Sequence, residues 1–131
     1  MENVKEYWLT PPDVMTGLDY IHRFDFDPCP YPRPEGYNSL IIPWGRSNYV
    51  NPPFNKKDAP FGGPSAFARK AIAERNTYSK KSVFVLPLPH SIGLLMAAGA
   101  RCEYGGVIQW LDGKTKALCP RKAHQAVLIL E

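Results

Sequence analysis

Ser82-Val83-Phe84-Val85-Leu86 is a run of β-branched and apolar residues that no polar side chain interrupts once the serine is passed. Successive side chains of a strand point to opposite faces, so such a run buries itself on both. It fits a central parallel strand of an α/β sheet. The rest of the chain has to supply the layers that cover it.

The remaining pattern alternates helix and strand. Thr10 reads as an N-cap with Pro11 at the first helical position and Asp13 in the first turn. Val14, Leu18 and Ile21 then form one apolar stripe. Phe24-Asp25-Phe26-Asp27 reads as a short strand closed by Pro28-Cys29-Pro30. From Tyr31 to Gly45 the chain is a Pro-, Gly- and Tyr-rich loop with Leu40-Ile41-Ile42 as its apolar anchor and Trp44 buried beneath it. Ser47-Asn48-Tyr49-Val50 is a strand. Pro64-Ser65 opens a helix to about Asn76, with Phe67, Ala68, Ala71 and Ile72 inward and Arg69, Lys70, Glu74 and Arg75 in water. Ser91 caps a short helix through Ala100, and Gly106-Leu111 and Ala126-Leu130 close the chain as a strand pair. This order predicts a largely parallel sheet with an antiparallel C-terminal strand, whose strand ends open on one crevice.

The chain of 131 residues reads as one domain without a separate target-recognition module. Its 16 basic and 12 acidic residues give a formal charge of +4, which suits a polyanionic partner without demanding one. Cys29, Cys102 and Cys119 are odd in number and lack CxxC spacing, so neither a disulfide framework nor a zinc site is indicated and a reducing cytosol is expected. No signal-peptide pattern and no long apolar span are present, so no membrane association is expected.

Chemistry concentrates in Asn51-Pro52-Pro53-Phe54. The prolines fix φ and remove two backbone donors, so the turn presents mainly acceptors. The Asn51 side-chain oxygen and the Pro52 carbonyl can accept both hydrogens of one amino group, while Phe54 offers a face for stacking a flat ring. An ordinary Asn-Pro turn with Phe54 in the core is the alternative. Asp27, at a strand's carboxyl end, is a common place to hold an amino or hydroxyl group, or else simply caps the turn before Pro28.

These blocks, in this order, resemble phage-type DNA N6-adenine methyltransferases of the Dam-like family. The matching residues are Trp8 with Thr10-Pro11-Pro12, then Phe26-Asp27-Pro28-Cys29, Val50-Asn51-Pro52-Pro53-Phe54 and Val85-Leu86-Pro87, followed by Gly113-Lys114 and Val127-Leu128-Ile129. The resemblance implies a trimmed Rossmann-like fold and S-adenosylmethionine-dependent methylation of the exocyclic amine of an adenine flipped out of DNA. Asn51, Pro52, Pro53 and Phe54 would hold the target. Asp27, Pro28, Thr10, Pro11 and Trp8 would hold the cofactor, with Trp8 a core residue as the alternative. Lys56, Lys57 and Arg69 would contact phosphates, and no metal would be needed. It also implies a phage- or prophage-encoded protein that acts in a bacterial cytoplasm, with restriction evasion as a plausible purpose and help from a second subunit as one way to reach a target. The loop after Asp27 carries prolines where the wider methyltransferase fold carries glycines, which leaves the adenosine end of the cofactor without assigned residues. A catalytically silent methyltransferase-like module that binds DNA or protein is the alternative. A third reading takes a protein glutamine amide as the acceptor.

Overall fold

In the computed structural model, which describes residues 8–53, 59–87, 92–108, 111–112 and 123–131, the chain begins with β1 (Trp8–Leu9), α1 (Pro12–His22) and a 3-10 turn (Ser39–Ile41). It continues with β2 (Ser47–Val50), α2 (Pro64–Tyr78), β3 (Lys81–Pro87), α3 (Ile92–Ala97), β4 (Arg101–Ile108), β5 (Leu111–Asp112) and β6 (Ala123–Leu130). The main sheet has the order β2-β3-β6-β4, and β1 and β5 pair separately as a short antiparallel ribbon. β2 is parallel to β3, while β6 is antiparallel to both β3 and β4. Three strands therefore point one way and β6 opposes them. The protein is α/β with a mixed sheet. The expected antiparallel C-terminal strand is present, but it inserts between β3 and β4 and does not close an edge. The sheet is therefore less parallel in its pairings than the helix-strand alternation implied.

β3 is buried as its composition demands. Phe84 and Leu86 join Val50, Leu128 and Leu130 on the face covered by Phe67, Ala68 and Ala71 of α2 and Leu95 of α3. Val83 and Val85 join Tyr49, Val127 and Ile129 on the other face, against Val14, Met15 and Leu18 of α1 and Phe24. Each fully buried side chain of this size contributes roughly 1.5–3 kcal/mol of transfer free energy. The two-sided burial of one strand thus fixes an α/β/α layering.

Local details differ from the sequence expectation for identifiable reasons. The N-cap of α1 is Pro11 and not Thr10, and Pro12 is the first helical residue. The Thr10 hydroxyl is instead hydrogen-bonded to the Tyr49 hydroxyl on β2. Asp13 does lie in the first turn. The buried stripe of α1 runs Val14, Leu18, His22, while Ile21 is 68% exposed, because the helix packs along its i, i+4 ridge and not toward i+7. α1 ends where Arg23 turns left-handed and its N–H bonds to the Asp19 carbonyl. α3 stops at Ala97, short of the expected Ala100, and β4 begins at Arg101, ahead of the expected Gly106.

Glu74 belongs inside, not in water. Its carboxylate accepts from the Trp44 backbone N–H at 2.9 Å, from Lys80 at 2.9 Å and from Lys70 at 3.1 Å. Trp44 is buried under the loop as expected, and its indole N–H donates to the Ser39 carbonyl at 2.8 Å. Among the described residues, no helix is long and apolar enough to cross a membrane.

Candidate functional site

The segment 24–27 lies beside β2 and runs parallel to it. It is joined by one bridge between Phe26 and Asn48 and by two backbone bonds, Asp25 N–H to the Ser47 carbonyl and Tyr49 N–H to the Phe26 carbonyl. Because Asn48 also pairs with Ser82 and Val50 with Phe84, this segment, β2 and β3 are in step. Their carboxyl ends, at Asp27, Val50 and Pro87, all emerge along one edge. In parallel α/β sheets this is the edge at which ligands bind.

Asn51, Pro52 and Pro53 leave β2 at that edge and are buried, with Asn51 only 6% exposed. A buried asparagine after a strand presents its amide from a fixed backbone, and the two prolines stiffen it further. Phe54, Lys56 and Lys57 lie outside the described residues, as does the proline-bearing loop after Pro87. Of the three loops expected to line one crevice, two are described, and they do meet. Pro53 lines a cavity of about 210 Å³ together with Pro28, Cys29 and Pro30.

Asp27 faces a second, open hollow of about 340 Å³, which it lines with Tyr49, Asp19 and Asp25. Protein atoms crowd its carboxylate from most sides while leaving it reachable from solvent. That loss of hydration raises its pKa to about 6, only partly offset by the Cys29 N–H that donates to it at 2.9 Å. At neutral pH it is ionised and able to pair with an ammonium group. The Tyr49 hydroxyl is held protonated, first by burial and also by the nearby Asp27 charge. Tyr49 thus stands between the Thr10 hydroxyl, to which it is bonded, and a hollow that Asp27 shares with the carboxylates of Asp19 and Asp25.

Asp25, two residues earlier, is arranged differently. Its carboxylate accepts the Ser47 N–H at 3.0 Å and the Arg46 N–H at 3.3 Å, and the Ser47 bond lowers its pKa. Cys29 has its thiol pKa pushed well up by burial and by Asp27, so it is protonated and a poor nucleophile.

The structure therefore brings Asp27, Pro28, Thr10, Asn51, Pro52 and Pro53 to one end of the sheet. Pro11 caps α1 behind Thr10, and Trp8 lies in β1, paired with Asp112 of β5. Arg69 is exposed on α2. Sequence reasoning missed Tyr49, whose signal was its position on the strand that delivers Asn51, and it missed the cavity walls Tyr37, Arg33 and Phe61. Among the described residues no group of three or more His, Cys, Asp or Glu side chains is placed to hold a metal ion. In comparisons with known proteins, no family model, no curated protein and no solved structure matches the chain.

Proposed function

We propose that the protein is an S-adenosylmethionine-dependent DNA adenine N6-methyltransferase with a trimmed Rossmann-like core. The observation that carries the reading is the adjacency of two segment ends, that of 24–27 and that of β2. One brings an ionised, poorly hydrated carboxylate, Asp27, and the other a buried amide followed by two prolines, Asn51-Pro52-Pro53.

The residues suit the cofactor's methionine end: Asp27 is a hydrogen-bond acceptor for an ammonium, Tyr49 lines the same hollow, and the Thr10 hydroxyl is bonded to that of Tyr49. When bound, the cofactor supplies an electrophilic methyl group. The chain's own task is to orient the acceptor. The Asn51 side-chain oxygen and the Pro52 carbonyl accept the two amine hydrogens, which draws the adenine nitrogen toward a pyramidal, nucleophilic shape. Positioning and fixed dipoles carry the acceleration, because no general base of high strength is required. A protonated Cys29 takes no part as a nucleophile. The basic balance of +4 favours DNA over a protein amide as the substrate.

The test is incubation with methyl-labelled S-adenosylmethionine and unmodified DNA, followed by digestion to nucleosides. N6-methyladenine should form with the wild type. It should fall at least about 100-fold for Asn51→Ala, the size expected when one fixed transition-state contact is lost. Absence of N6-methyladenine at enzyme-level protein concentrations would rule the proposal out.

A further inference from the structure

The cavity of about 210 Å³ beside Pro53 is a separate hollow from the one that Asp27 faces, and the two share no lining residue. One wall comes from the loop after Asp27, through Pro28, Pro30 and Tyr37, and the other from Phe61 and from Phe67 of α2. Arg33 clasps the walls together. Its guanidinium donates to the Tyr37 carbonyl at 3.1 Å and stands 5.6 Å from the centroid of the Phe61 ring. The lining includes stiff prolines, flat rings and the Arg33 guanidinium and contains no carboxylate, so the surface suits a flat ring that carries hydrogen-bond acceptors and no positive charge. The volume is below the roughly 300–1,000 Å³ of a site for a drug-sized ligand, so it accommodates one ring system and not a whole cofactor.

The two hollows are one backbone step apart, since Asp27 lines one and Pro28 the other. Resting on the methyltransferase reading, we infer that this cavity is the subsite for the adenine ring of the cofactor. The proline-rich loop 28–39 and Phe61 then do the work for which no residue is evident in the sequence. A ligand whose ammonium pairs with Asp27 lies beside the Pro28 wall, while Pro53, one residue past the Pro52 carbonyl assigned to the target base, borders the same cavity. Cofactor ring and target base would therefore be neighbours, and the oligonucleotide tells them apart.

Calorimetry with S-adenosylhomocysteine, adenosine and a short adenine-containing single-stranded oligonucleotide tests this on the full chain. Phe61 and Arg33 are exposed enough for replacement without unfolding, which a thermal melt would verify. Phe61→Ala and Arg33→Ala should each weaken both S-adenosylhomocysteine and adenosine by about tenfold, the scale of one lost stacking partner. Asp27→Asn should weaken S-adenosylhomocysteine and leave adenosine unchanged. If Phe61→Ala lowers affinity for the oligonucleotide but not for S-adenosylhomocysteine, the cavity holds the target base and the inference is overturned. It is equally overturned if the wild type binds neither nucleoside, or if both variants bind S-adenosylhomocysteine like the wild type. In that last case N6-methyladenine formation by the wild type would leave the methyltransferase reading standing. Phe61-sensitive binding of both nucleosides with no methyl transfer would do the reverse, supporting the subsite and removing the enzyme.

Discussion

Asp25 and Asp27 leave the same short segment two residues apart, yet their surroundings treat them in opposite ways. Around Asp25 the chain is saturated. The carboxylate collects two backbone N–H groups from Arg46 and Ser47, and Gly45 approaches so closely that a side chain there has no room. Around Asp27 the chain crowds the carboxylate but, among the described residues, gives it a single backbone N–H. One acid is used up in holding a corner of the fold, and the other is kept in a state that a bound cation would relieve. Two identical residue types on one segment thus separate into scaffold and site by what their neighbours donate.

The comparison can be broken most strongly from the Asp25 side. In Gly45→Ala the new Cβ would stand 2.4 Å from Asp25 Oδ1 and 2.7 Å from Phe26 Cβ, so the corner must open. A loss of about 2–3 kcal/mol in denaturant unfolding is expected, with ligand affinity reduced only as far as Asp27 is displaced. A neutral result would mean that the corner is loose and that the contrast is unfounded. Asp27→Asn should do the converse. Affinity for S-adenosylhomocysteine should fall about 10- to 100-fold, as for a lost charge-assisted bond, with stability at neutral pH unchanged or slightly higher.

Proton titration sharpens the contrast. The pKa of Asp27 is raised from an ordinary 3.8 to about 6, so the native state holds its proton more tightly than the unfolded chain. Its contribution to stability is complete below pH 4 and is lost as pH rises through 6. For Asp25, lowered from 3.8, the contribution is present above that value and disappears in more acid solution. Binding of S-adenosylhomocysteine should weaken by about tenfold per pH unit below 6, and Asp27→Asn should flatten that profile. The smallest effect should come from Asp25→Asn. The group is half exposed, so about 1 kcal/mol of stability and no change in affinity are expected from thermal melts and calorimetry.

What the sequence revealed and what it hid follow from the range of the interactions. Val83 to Leu86 announced a doubly covered strand because burial of neighbouring residues in a strand is a local pattern. Asn51 was legible as a strand end because prolines follow it, whereas the strand expected over 24–27 is reduced to a single bridge at Phe26, since Pro28 and Pro30 cut the pairing short. Glu74 was misplaced, since helical spacing put it on the wet face. The Trp44 N–H and the Lys80 ammonium that capture it come from outside that helix. Ile21 was misplaced because apolarity favours it over the adjacent His22, while the packing partner buried His22 beside Phe24. Tyr49 and Thr10 meet across 39 positions, and the cavity walls come from loops on either side of β2, so no window of sequence contained either.

Trp44 carries a consequence for how the molecule could change. Its indole N–H, backbone N–H and carbonyl are all engaged, and its ring stacks 6.3 Å from Phe67, while the Ser39 hydroxyl donates to the Pro28 carbonyl at 2.6 Å. The loop 28–44 is therefore clamped at its base, and Arg33 ties it to Phe61, while positions 34–36 at its tip stay exposed. A clamped base with a free tip is a graft point: tip sequences of altered length or chemistry could be exchanged there to retune what the neighbouring cavity accepts, with the sheet beneath left intact.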